Sequence, residues 1–194
     1  MELEIAIERT QRAVSAIEAV RARENKHLVK AAVKAVFSAL LTTGSAGRLP
    51  RMLSLIGTAP PEVFWPAFVE NWPVCDATWE YRRLLLAVLR KQPPSSPFLT
   101  AKQRSLYERL PARVRVFRGC SRERIRGVSW TKSRQVAERF ARGHRGIEVP
   151  NAVVAVAMIS KDAIFLVNHE RREREIVLDP RALRIENLLT KVEI

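Results

Sequence analysis

Between Gln92 and Pro97 the chain reads Gln-Pro-Pro-Ser-Ser-Pro. Three prolines in five residues cannot lie inside an α-helix or a central strand, because each removes a backbone donor and fixes φ. This punctuation separates two kinds of hydrophobic pattern. Before it, apolar side chains recur at helical spacing, first at Leu3, Ile7, Val14, Ile17 and Val20, then at Leu28, Val29, Val33, Val36, Phe37, Leu40 and Leu41. Gly44-Ser45-Ala46-Gly47 breaks the second run, Met52 to Ile56 predicts a short helix, and Pro60-Pro61-Glu62 opens another through Phe68. Asp76 is placed to cap a helix from Ala77 to Leu89. Past the prolines, a short helix near Thr100 to Leu110 gives way to strand-like runs at Val114–Phe117, Val128–Thr131, Ala152–Ile159, Ala163–Val167, Glu175–Leu178 and Leu183–Leu189. One amphipathic helix among them is capped by Ser133 and ended by Gly143. The expectation is an α+β protein with a helical N-terminal region, 1–97, and a strand-rich region, 98–194.

With 194 residues and 47% apolar content the chain can bury one core with a helical extension. No stretch approaches the roughly 18 apolar residues of a membrane span, and Met1-Glu2-Leu3-Glu4-Ile5 is acidic where a secretory signal is basic. A cytoplasmic protein without membrane attachment is therefore expected. Cys75 and Cys120 read as free thiols. His27, His144 and His169 stand alone, so neither a metal cluster nor a Ser/His/Asp constellation is expected.

The net charge of +14 is uneven, with +4 in residues 1–97 and +10 in 98–194. Between Arg113 and Arg145, 11 basic residues face only Glu123 and Glu138. Such a field suits an anionic ligand, an acidic partner or nucleic acid, although arginine also serves simply to solvate a surface.

Three short segments carry candidate chemistry. In Arg113–Arg118 side chains alternate, so Arg118 continues the face of Val114 and Val116 and should end at a cleft, with a fork of donors suited to pyrophosphate; Gly119 permits close approach to the backbone. Ser129 and Thr131 point the same way, with Trp130 opposite, and paired hydroxyls can bind a ribose or orient a carboxylate. Glu173 and Glu175 share a parity. Glu175 stands at the entrance of Ile176-Val177-Leu178, apolar on both faces, where a carboxylate requires a hydrogen bond or a cation.

In this order, Val116-Phe117-Arg118-Gly119, Gly127-Val128-Ser129-Trp130-Thr131 followed by Val136-Ala137-Glu138-Arg139-Phe140-Ala141, and Glu173-Arg174-Glu175-Ile176-Val177-Leu178 resemble the ADP-ribosyltransferase family. The resemblance is to the branch with an Arg, Ser-x-Ser/Thr, Glu-x-Glu signature and covers Val114 to Leu189; Trp130 departs from the smaller residue usual there. It implies a split β-sandwich core binding NAD as substrate, without a metal. Arg118 and Gly119 would bind the phosphates, Ser129 and Thr131 would support the ribose and Glu175, Glu175 would stabilise the oxocarbenium-like ribose, and Glu173 would activate the acceptor. It also implies that Asn168 to Arg174 form the acceptor loop. There Arg171, Arg172 and Arg174 surround Glu173 and favour an anionic acceptor, so RNA or DNA is slightly preferred over protein arginine. An intracellular toxin or defence effector restrained by an inhibitory antitoxin protein is the corresponding biological expectation. A non-catalytic basic nucleic-acid-binding module and a NAD glycohydrolase are the alternatives.

Overall fold

The computed structural model describes residues 25–143, 148–168 and 173–190. The expected helix over residues 3–23, and Arg171 and Arg172, lie outside these ranges. Helix α1 covers 25–41, as the spacing predicts. Helix α2, Ser45–Ile56, begins seven residues earlier than the expected Met52 start: Gly44 is the residue before its first turn, and the helix runs through both Gly47 and Pro50 because Leu49, Met52, Leu53 and Ile56 make one buried face. Helix α3, Pro61–Asn71, starts on proline and buries Phe64, Trp65 and Phe68.

The expected helix from Ala77 is shorter. Ala77 has φ 56°, a left-handed conformation that stops helical propagation, and α4 spans only Arg82–Leu89. Asp76 therefore caps nothing and remains exposed. Helix α5, Ala101–Glu108, is opened by a reciprocal box in which the Thr100 hydroxyl accepts from the Gln103 amide and the Gln103 side chain accepts from the Thr100 amide. Helix α6, Arg134–Arg142, has Ser133 Oγ accepting from Val136 N–H and ends at Gly143, φ 110°.

Six strands, β1 (Arg113–Ser121), β2 (Ser129–Thr131), β3 (Ala152–Ser160), β4 (Ile164–Asn168), β5 (Glu175–Leu178) and β6 (Arg184–Thr190), form one antiparallel sheet in the order β4-β5-β2-β1-β3-β6. The β1–β3 ladder runs from Arg113↔Ser160 to Ser121↔Ala152. By contrast, β1 meets β2 in the single pair Phe117↔Thr131, so the sheet is narrowest there.

One face buries Val114 and Val116 with Ala155, Ala157 and Ile159 from one side of this junction, and Trp130, Ile164, Ile176 and Leu178 from the other, in a shared core. The opposite face is covered in two places. Helix α6 packs over Phe117, Ala152 and Val154. The core of α1–α4 reaches Val128, Leu166 and Val177. Within it Phe64 meets Trp65 edge-on at 5.1 Å and stacks on Phe68 at 5.6 Å, and Phe68 stacks on Trp72 at 5.2 Å. The proline-rich segment is built into the structure, since Trp65 Nε1 donates to the Pro93 carbonyl at 3.1 Å and Ser95 Oγ to the Phe165 carbonyl at 2.6 Å. Among the described residues no helix is long and apolar enough to cross a membrane.

Candidate functional site

The site begins where the sheet narrows. If the β1–β2 ladder continued past Phe117↔Thr131, Gly119 would lie opposite Ser129 and could satisfy its carbonyl. Instead the Arg118 guanidinium occupies the opening: Nη1 donates to the Ser129 carbonyl and Nε to the Arg124 carbonyl at 3.1 Å. Gly127 makes this possible, because a Cβ there would stand 2.5 Å from Arg118 Cζ and Nη2. The guanidinium thus ties the 124–129 turn to β1, filling the donor role of the missing ladder.

Ser129 and Thr131 share one face of β2, as expected, and Trp130 is buried on the other with its Nε1 donating to the Gly127 carbonyl at 2.9 Å. Register places Thr131 opposite Glu175 and Ser129 opposite Val177. Ser129 Oγ donates to Glu175 Oε1 at 2.5 Å. Thr131 Oγ1 donates to the Glu173 carbonyl at 2.5 Å and accepts from Ser133 N–H at 3.0 Å. Arg174, with φ 48°, sends its carbonyl to Lys132 N–H at 3.1 Å. The two alcohols therefore do different work: one orients a carboxylate, the other fastens the chain carrying both glutamates to the start of α6.

Two cavities adjoin at these residues. The first, about 230 Å³, is lined by Arg118, Gly119, Ser129, Thr131, Glu173 and Glu175, with Phe117, Val136, Ala137, Phe140 and Thr78 completing its wall. The second, about 250 Å³, lies against the helical region, between Trp72, Cys75, Asp76 and Thr78 on one side and Asn168, Glu173 and Glu175 on the other. Ser129, Glu173 and Glu175 belong to both. A half-buried carboxylate oriented by an alcohol, at the meeting point of two cavities, can stabilise developing positive charge on a bound molecule.

Burial pushes the Cys75 thiol up to about 12, which disfavours the thiolate form. Burial likewise raises the Cys120 thiol, with Arg118 opposing the effect. Among the described residues no group of three or more His, Cys, Asp or Glu could hold a metal ion.

Of the residues predicted from sequence, Arg118, Gly119, Ser129, Thr131, Glu173 and Glu175 line one cavity. Gly119 does so for a different reason from the one expected. The space left by its missing side chain is taken by α6, where a Cβ would stand 1.7 Å from the Ala137 carbonyl oxygen. Arg174 is exposed and lines neither cavity.

Sequence reasoning missed Thr78 altogether, gave Gly127 and Phe140 no role of their own within the resembling segment, and took Asn168 only as the start of the acceptor loop. Asn168 carried a signal, as a polar residue ending an otherwise apolar strand; it is buried and pairs in register with Glu175. Phe140 read only as part of an apolar helix stripe, yet it remains partly exposed and lines both cavities. No protein-family model, curated protein or solved structure matches the chain.

Proposed function

We propose that the protein is an ADP-ribosyltransferase that transfers ADP-ribose from NAD to a macromolecular acceptor. The observation that carries this reading is the convergence of Arg118, Ser129 and Glu175, distant in sequence, on one cavity, with Ser129 Oγ bound to Glu175 at 2.5 Å. The narrow β1–β2 junction and the core shared across it support reading the sheet as a split β-sandwich whose cleft receives the dinucleotide.

The 230 Å³ cavity suits the nicotinamide-ribose end, with Phe117 and Phe140 as apolar surface for the flat ring and Glu175 for a ribose hydroxyl. As the bond from ribose to nicotinamide breaks, nicotinamide leaves with the bonding electrons and positive charge grows on the ribose. Glu175, held by Ser129, stabilises that charge, as a carboxylate does in glycoside hydrolysis. Glu173 borders the second cavity as well and is placed to take the proton of an attacking acceptor group there. Arg118 holds the turn that carries Ser129 and faces the NAD-side cavity, where its remaining donors can meet a phosphate.

The test is incubation of the full chain with labelled NAD and cell extract, comparing wild type with Glu175→Ala. The reading predicts label on macromolecules with wild type and a loss of at least about 10²-fold with the variant, comparable to removing one preorganised electrostatic stabiliser. Nuclease or protease sensitivity of the label identifies the acceptor class. Release of free ADP-ribose alone would make the protein a NAD glycohydrolase, and equal labelling by the variant would remove Glu175 from the mechanism.

A further inference from the structure

At the other end of β5 from Glu175 lies an open groove of about 460 Å³ that no part of the NAD reading uses. Four arginines from three distant segments line it: Arg83 and Arg90 of α4, Arg126 of the turn before β2, and Arg181 after β5; Leu86 and Pro180 contribute apolar floor. The acids nearby are already engaged. Asp179 accepts from Arg90 through both oxygens at 2.7 Å, its Oδ1 also accepting from the Arg181 amide at 3.0 Å, and Glu80 pairs with Arg124 at 3.2 Å. Arg126 donates one N–H to the Pro180 carbonyl at 3.0 Å. These bonds brace the groove, while the exposed guanidinium groups of Arg83 and Arg181 form no ion pair among the described residues.

Rigid walls with uncompensated guanidinium forks match phosphate oxygens in both charge and geometry. All the cations are arginine, which also stacks on bases, and the apolar floor offers a surface for a base or ribose. A duplex keeps its bases stacked inside, so this combination favours a single strand. We propose that the groove binds the phosphate backbone of a single-stranded nucleic acid.

The groove is also well placed relative to the candidate catalytic carboxylate. β5 begins at Glu175 and ends at Leu178, so Pro180 lies about 17 Å from Glu175 at most, taking the rise of an extended strand. Val177, on the same face as Glu175, packs in the core that includes Leu86 of α4, so α4 covers the face on which Glu175 lies. A strand anchored in the groove can reach the second cavity within a few nucleotides. Its role as the ADP-ribose acceptor rests on the preceding reading, whereas binding does not.

Binding is measured without NAD, by fluorescence anisotropy of labelled single-stranded RNA and DNA 20-mers and their duplexes, using the full chain. Wild type and Glu175→Ala should bind single strands equally and more tightly than duplex. Arg83→Glu combined with Arg181→Glu should weaken binding at least tenfold and lower the salt slope by roughly 0.7 for each phosphate no longer neutralised. Arg83→Gln with Arg181→Gln should fall between, and thermal melts should show the fold intact. Unchanged affinity in the folded charge-reversal variant would overturn the proposal. So would preference for duplex, or binding of a poly-glutamate peptide with no binding of nucleic acid, which would assign the groove to an acidic protein. Tight single-strand binding by wild-type protein that shows no NAD chemistry would leave the groove standing and overturn only the transferase reading.

Discussion

The two sides of strand β1 are built on opposite plans. Toward β3 it pairs along its whole length, and α6 lies so close that Gly119 has no room for a methyl group. Toward β2 it pairs once and diverges, and a side chain replaces the backbone ladder. The closed side provides rigidity, and the open side frees polar groups at the sheet's centre without leaving them unsatisfied. A cavity with an oriented carboxylate lies on the open side, held in place by the closed one.

The largest expected effect comes from forcing the closed side apart. Gly119→Ala places a methyl group inside the α6 backbone, and it should cost about 3 kcal/mol. That corresponds to a fall of roughly 6–12 °C in melting temperature. A melt within 2 °C of wild type, roughly the shift of a substitution costing under 1 kcal/mol, would show that α6 is not tightly seated on β1.

Ser129→Ala acts on the open side. It removes a hydrogen bond to a carboxylate, worth about 2 kcal/mol, so transfer should drop roughly 30-fold with little change in stability. Retained activity in Ser129→Thr would indicate that the hydroxyl, not the small side chain, is what matters.

Gly127→Ala sharpens the contrast with Gly119→Ala. Its methyl group meets the end of a flexible arginine rather than backbone, so the structure should yield locally. Activity should fall about tenfold, near 1.4 kcal/mol, while the melting temperature stays within roughly 4 °C of wild type. An equal stability loss in the two glycine variants would erase the distinction between the sides.

The smallest effect lies away from the junction. Arg90 holds the Asp179 carboxyl below the usual carboxylate range through a two-pronged hydrogen bond, on the edge of solvent. Arg90→Ala should cost about 1 kcal/mol near neutrality. Because the folded-state value is the lower one, this contribution is present above the unfolded Asp value and fades as pH falls through the lowered one. Urea melts of wild type and variant should therefore converge in strong acid. A difference that persists there would assign the effect to packing.

Periodicity carried much of the fold: the break at Gln92–Pro97, the α6 stripe with its Ser133 cap and the alternation of β1 and β2 all lie where the residues put them. Asp76 misled because an N-cap residue specifies a helix start only when the next backbone is helical, and Ala77 is left-handed. Alternation along β1 puts Arg118 on the face of Val116 and Trp130, opposite the Ser129–Glu175 face. Its guanidinium meets the cavity by filling the opening between β1 and β2, with partners that were invisible in the sequence. Gly127 and the Ser129 carbonyl become its neighbours only through non-local pairing, and no local pattern encodes that. Thr78 and Phe140 were hidden for the same reason, since each joins the cavity wall from a separate helical or loop segment.

The most direct measurement is nicotinamide release from NAD by purified wild type and by Glu175→Gln, which keeps the shape of the side chain and removes its charge. The account predicts steady release by wild type and a fall of at least about 10²-fold in the variant, with unchanged melting temperature. Release at the wild-type rate by Glu175→Gln, or none by folded wild-type protein supplied with acceptor, would contradict it.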